Sequence, residues 1–141
     1  MLFRSFHNDC PRGLRVAGDG QKLLQVFVNL LTNARDASQA GGRIWISARH
    51  EGSDVRVEVT DQGQGIPAAL IDKIFEPFFT TKAPGEGTGL GLALAYAIVT
   101  GMGGTIMAES PVPGAGGGGT RVLMRFPAYP PERLENPPTR G

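Results

Sequence analysis

At 141 residues, 40% of them hydrophobic, the chain suits one domain around one core and is too apolar to be wholly disordered. A net charge of +1 gives no electrostatic argument for nucleic acid or an anionic membrane. Cys10 is the only cysteine, so no internal disulfide forms and a reducing compartment fits.

Residues 1–13 carry no clear period and read as the remnant of a linker. The opening residues lack the apolar core and cleavage site of a secretory signal. The longest useful apolar run, residues 92–99, is too short to cross a bilayer. A cytoplasmic location is therefore expected, with a membrane-anchored parent still open. Leu14-Arg-Val16 is a short strand candidate at the start of a domain expected over 14–127. Asp19 is placed to cap a helix running to about residue 40, where Gly41-Gly42 stop it. Arg43-Ile-Trp-Ile-Ser-Ala-Arg49 and Val55-Arg-Val-Glu-Val59 alternate around a turn at 51–54 and predict a hairpin. Residues 68–75 predict a short helix with Pro67 at its start. Residues 76–87 hold two prolines and no period, a loop of the length class that is usually functional. A helix is expected from Thr88 to about Thr100, ended by the glycines of 101–104. Residues 105–109 and 120–126 predict two more strands around a Gly-rich turn. Residues 128–141 read as a disordered Pro-rich tail. This order predicts an α/β two-layer sandwich, a mixed sheet of about five strands with about three helices on one face.

The long helix carries an unusual polar face. At about 100° per residue, Asn29, Asn33 and Asp36 fall within about 60° of arc, with Lys22 and Gln25 on the same side. Leu23, Phe27, Leu30, Leu31 and Ala34 cover the opposite arc. A solvated helix face normally carries Glu and Lys, whereas Asn is a poor helix former. Two Asn one turn apart, then an Asp, read as a coordinating face, and amide oxygens are hard neutral ligands suited to Mg²⁺. Asp61-x-Gly63-x-Gly65 places a carboxylate at a strand end, with glycines that let backbone approach a planar ligand. A buried carboxylate there would accept from the exocyclic amine of adenine and discriminate against guanine. Gly87-Thr-Gly-Leu-Gly-Leu92 opens a helix, whose free N–H groups bind phosphate. Lys82, after Thr80-Thr81, could close onto phosphates from the loop. Each motif alone also fits a turn, a helix start or a solvated lysine.

Taken together and in this order, the motifs resemble the catalytic and ATP-binding domain of sensor histidine kinases, over about residues 14–127. The matches are the Asn box (Asn29-Leu-Leu-Thr-Asn33-Ala), first Gly box (Asp61-Gln-Gly-Gln-Gly65-Ile66), Phe box (Ile74-Phe-Glu-Pro-Phe-Phe79) and second Gly box (Gly87-Thr88-Gly89-Leu90-Gly91-Leu92). The wording Asn33-Ala-Arg-Asp36-Ala37 and Phe75-Glu-Pro-Phe-Phe-Thr-Thr81-Lys82 is nearest the nitrogen-regulation and dicarboxylate-sensing branch. The resemblance implies the Bergerat sandwich, with ATP between the Asn-box helix and a flexible lid whose first half Phe75, Phe78 and Phe79 anchor. It implies Mg²⁺ on Asn33 helped by Asn29, adenine on Asp61, and Thr120 of the Gly119-Thr120 step beside the adenine. It implies transfer of the γ-phosphoryl to a histidine on a separate dimerisation domain, and a response regulator downstream.

Two departures qualify the match. His7 and His50 have no surrounding helix, so neither takes the phosphoacceptor role, and no residue of the chain is expected to act as acid or base. Met102 stands where many relatives carry His before Gly-Gly. Relatives that hydrolyse ATP unaided place a Glu one turn before the metal-binding Asn. Here that position is Asn29, which takes up no proton at neutral pH. The rival readings are a self-contained ATPase of the same fold and a non-enzymatic nucleotide-sensing module.

Overall fold

The computed structural model describes residues 5–38, 42–79, 90–112 and 118–129; for Ser5 and His7 it describes the backbone alone. A five-stranded sheet in the order β1-β2-β3-β5-β4 carries the helices on one face. Its strands are β1 (Ser5–Asp9), β2 (Arg43–Glu51), β3 (Asp54–Asp61), β4 (Thr105–Glu109) and β5 (Thr120–Pro127). The β1–β2 pair is parallel and the other pairs are antiparallel, so the sheet is mixed.

The fifth strand is not the expected one. Residues 5–9, read from sequence as linker, pair along β2 from Ser5↔Arg43 to Asp9↔Ser47. Leu14-Arg-Val16 forms no strand; Val16 makes an isolated bridge to Ala128. An edge strand is held by its neighbour's backbone and needs no alternation of its own, which is why the sequence carried no sign of it.

α1 (Gly20–Ala37) begins where Asp19 Oδ1 accepts from the N–H groups of Gln21 (2.9 Å) and Lys22 (3.3 Å). It ends before the expected residue 40. Ser38 leaves the helix in extended conformation and its hydroxyl donates back to Ala34 O at 2.8 Å. That buried side-chain cap, not the glycine pair further on, stops the helix. Val26, Leu30 and Ala34 form the buried stripe, with Leu23, Phe27 and Leu31 packed beside it. β3 alternates with Val55, Val57 and Val59 inward, and β5 with Val122, Met124 and Phe126. α2 (Gly91–Gly101) closes the layer through Ala95 and Val99, both fully buried. The short segment Ala68–Lys73 is a 3-10 helix.

The sheet's other face carries a network of ion pairs, and no helix among the described residues covers it. Arg56 Nε donates to Glu58 at 2.6 Å, Arg121 lies between Glu58 and Glu109, and Glu51 meets Arg49, Arg56 and Arg125. Past β5, Ala128 N–H donates to Ser53 O at 3.0 Å and Tyr129 N–H to Arg15 O at 2.9 Å, so the chain stays tied to the body through residue 129.

Candidate functional site

The end of β3, the end of α1 and the start of α2 converge, and most of the described residues singled out from sequence lie there. Asp61 is the last residue of β3, only 6% exposed, and pairs with Ile44 on one side and Thr120 on the other. Its Oδ1 accepts from the N–H of Gly63 at 2.8 Å. Burial pushes its carboxyl up, opposed by the backbone N–H groups of Gly63 and Thr120. Thr120, also buried, starts β5 directly opposite.

The turn after Asp61 is stitched to three neighbours. Gln64 N–H donates to Ala37 O (3.3 Å), and Gly119 N–H donates to Gly63 O (3.1 Å). Ile66 N–H donates to the hydroxyl of Ser110 at 2.8 Å, and that hydroxyl donates to Gly119 O at 2.7 Å. The glycines are required by proximity. A Cβ at Gly63 would overlap the Ala37 carbonyl, and one at Gly119 would overlap the Asp61 carbonyl oxygen. Gly65 has φ +79°, left-handed backbone that glycine adopts freely.

On the other side, Asn29 and Asn33 lie one turn apart on α1. Asn29 Nδ2 donates to the carbonyl of Gly91 at 3.1 Å, and Asn29 Oδ1 accepts from Gln25 Nε2 at 2.8 Å. Among the described residues the Asn33 side chain makes no hydrogen bond. Asp36 is exposed and pairs with Arg35 at 3.3 Å, with a further interaction besides. Ala37 supplies the carbonyl against which the first Gly turn closes. Leu90, Gly91 and Leu92 lead into α2. Thr81, Lys82, Gly87, Thr88 and Gly89 lie outside the described residues.

The Phe-box expectation divides. Phe75 packs on the core, its ring 5.7 Å from that of Tyr96. Phe78 is 74% exposed with φ +68°, so its ring anchors nothing among the described residues. Met102 is a packing residue, its thioether filling the space beside Gly18 that a side chain there would need.

Two residues of the site went unread in the sequence. Gln25 was placed on the correct helix face but given no role. Ser110, beside a proline at a strand end, carried no signal at all. A separate apolar cavity of about 400 Å³, lined by Cys10, Leu14, Val16, Leu23, Val55 and Tyr129 among others, lies toward the opposite end of β3. Burial, then the charge of Asp9, raises the pKa of the Cys10 thiol above its ordinary value.

The donors fit a hard cation with few protein ligands. They are two neutral amide oxygens on one helix face, and the described residues hold no cluster of three or more His, Cys, Asp or Glu. Mg²⁺ is held in that way, by few protein groups with phosphate and water completing its shell.

Residues 18–130 match the family described as histidine kinase-, DNA gyrase B- and HSP90-like ATPase. The chain is 41% identical over 127 residues to sensor kinase CckA of Brucella abortus, covering 79% of this chain and 13% of that protein. It is 47% identical over 95 residues to sensor histidine kinase ZraS of Escherichia coli K12, covering 67% of this chain and 20% of that protein. It thus spans a fifth or less of the length of these curated relatives. Among solved structures it superposes on a mycobacterial sensor histidine kinase, MprB, with TM-score 0.81 at 30% identity, covering 90% of this chain and 85% of that one. It also superposes on histidine kinase ThkA in complex with the response regulator protein TrrA, with TM-score 0.73 at 32% identity, covering 92% of this chain and 35% of that one.

Proposed function

The chain belongs to the histidine kinase-, DNA gyrase B- and HSP90-like ATPase family, and from that premise we propose that it is the ATP-binding catalytic unit of a sensor histidine kinase. The observation that carries the reading is the pairing of a buried carboxylate, Asp61, at one end of the site with the Asn29–Asn33 face at the other. Adenine lies against Asp61, donating its amine to the carboxylate, with Thr120 and the Gly63–Ile66 turn around it. Asn29 and Asn33 hold Mg²⁺, which when bound neutralises charge on the phosphates. Asp36 and Ala37 border the nucleotide. Lys82 and Thr81, with the N–H groups of residues 87–92, hold the transferring end. The chain positions and screens; phosphoryl transfer asks little more of a protein.

The acceptor is a histidine of a helical dimerisation domain, in the same protein or a partner, and a response regulator takes the phosphoryl group afterwards. His7 and His50 both lie in strands, paired with Trp45 and Val55. Neither stands on a helix as the acceptor role requires. We take the working unit as residues 5–129, since β1 completes the sheet and Tyr129 is still tied to it. No described helix is long and apolar enough to cross a membrane, and the unit works in the cytoplasm.

Incubating the chain with labelled Mg-ATP, with and without a purified helical domain bearing a phosphoacceptor histidine, tests the reading. Acid-labile label should appear on the added domain only. Label on this chain that disappears with His7→Gln would overturn the assignment of the acceptor, and rapid phosphate release without any acceptor would favour the self-contained ATPase.

A further inference from the structure

We propose that Gln25 is a positioning residue that acts through Asn29, fixing the orientation of its amide for metal coordination; the inference rests on the Mg-ATP reading above. The Gly91 carbonyl can only accept, so the Asn29 atom 3.1 Å from it is the nitrogen. That turns Oδ1 toward Gln25, whose Nε2 donates to it at 2.8 Å. The amide of Asn29 is thus held at both ends, by α2 on one side and by Gln25, one helical turn back, on the other. An amide oxygen has two acceptor sites, and Gln25 occupies one of them. Among the described residues no second donor takes the other, which leaves one acceptor site for a cation.

Nothing else among the described residues accounts for Gln25. It is exposed, contributes nothing to the buried stripe of Val26, Leu30 and Ala34, and among the described residues its side chain makes this one hydrogen bond. As an i,i+4 pair on an exposed helix it adds about 0.2–0.5 kcal/mol to helix stability, too little to matter for folding. Its effect on a ligand is of another order. A partner that orients a metal-binding group commonly changes metal affinity by 10–100-fold. Without Gln25 the Asn29 amide keeps one tether and rotates about it. With an acceptor at position 25, Nδ2 is drawn away from Gly91, and the tie between α1 and α2 opens as well.

The test uses the full chain and two variants. Gln25→Met keeps length and helix propensity but has no donor. Gln25→Glu keeps the shape but only accepts. Calorimetric titration measures ATP affinity with Mg²⁺ and with a chelator. NMR follows the Asn29 side-chain amide, assigned by its loss in Asn29→Asp. In Gln25→Met the gain in affinity conferred by Mg²⁺ should fall by about tenfold, with chelator affinity within about twofold of the wild type. In Gln25→Glu the Asn29 side-chain amide resonances should move from their wild-type positions without nucleotide, as Nδ2 exchanges the Gly91 carbonyl for the introduced carboxylate. Equal Mg²⁺ dependence in the wild type and Gln25→Met would overturn the role of Gln25. An equal loss with and without Mg²⁺ would make the residue merely structural and would overturn it too. Failure of the wild type to bind Mg-ATP would overturn the functional reading itself, an outcome distinguishable from the other two.

Discussion

Asp61 is the only ionisable side chain that is buried among the described residues, and its chemistry pulls two ways. Burial raises its pKa, so between the ordinary aspartate range and the raised value the folded chain holds more proton than the unfolded one. Stability then falls as pH rises through that window and stays reduced above it. Replacing Asp61 by Asn removes the cost of burying charge. At neutral pH the ligand-free Asp61→Asn protein should be at least as stable as the wild type in urea unfolding. The difference should shrink as pH drops to the ordinary aspartate range. The same change should weaken Mg-ATP binding by more than tenfold, because losing a hydrogen bond to a charged acceptor costs about 1.5–3 kcal/mol. Wild-type affinity should likewise decline as acid protonates the carboxylate. A variant that binds ATP as the wild type does, or a wild type that binds GTP equally well, would remove Asp61 from the adenine site. A residue kept at the expense of stability is what a binding role predicts.

The first Gly turn works as an element because α1, β5 and the residue after β4 all grip it. Gly63→Ala would set a methyl against the Ala37 carbonyl, and backbone cannot yield as a flexible side chain can. A loss of about 1–3 kcal/mol in unfolding free energy is expected, together with weaker nucleotide binding. Gly101→Ala is the control. It lies in the last turn of α2 with open space around the added carbon, so it should leave binding unchanged and raise stability by about 0.4–1 kcal/mol. Ser110→Ala removes one donor and one acceptor at once and strands the Ile66 N–H and the Gly119 carbonyl. About 1–3 kcal/mol should be lost for each group left unsatisfied. A thermal shift of Ser110→Ala no larger than that of an exposed serine such as Ser53 would show that water replaces the hydroxyl. These elements also explain what the sequence made legible. The face of Asn29 and Asn33, the hairpin of β2 and β3, and the carboxylate of Asp61 depend on local period or on one strand's end. Ser110 depends on meeting residues 44 positions earlier and 9 later, and no local pattern records such a meeting. β1 escaped notice for the same reason, since its partner lies beyond the whole of α1.

At the scale of the molecule, one pairing sets the order in which the others become useful. β2 and β3 are joined by a two-residue turn, so that hairpin closes on the microsecond scale. Asp61 pairs with Thr120, about 60 positions further along, across both later helical segments and residues 80–89. The entropy of closing so long a loop grows only slowly with its length, but it must be met before any contact rewards it. Trp45, the single tryptophan, lies in β2 and reports on the early hairpin. In refolding, its fluorescence should settle before binding of a fluorescent ATP analogue recovers; recovery of both in one phase would mean that the β3–β5 pair forms with the hairpin. The same register bears on synthesis. A chain still lacking residue 120 has a capped helix and a hairpin, but only one wall of the carboxylate pocket. Within residues 5–129, competence for nucleotide is therefore among the last properties gained during synthesis. In a cell rich in ATP, units that have closed the β3–β5 pair are stabilised by the ligand and units that have not are not, so the nucleotide selects for the closed fold.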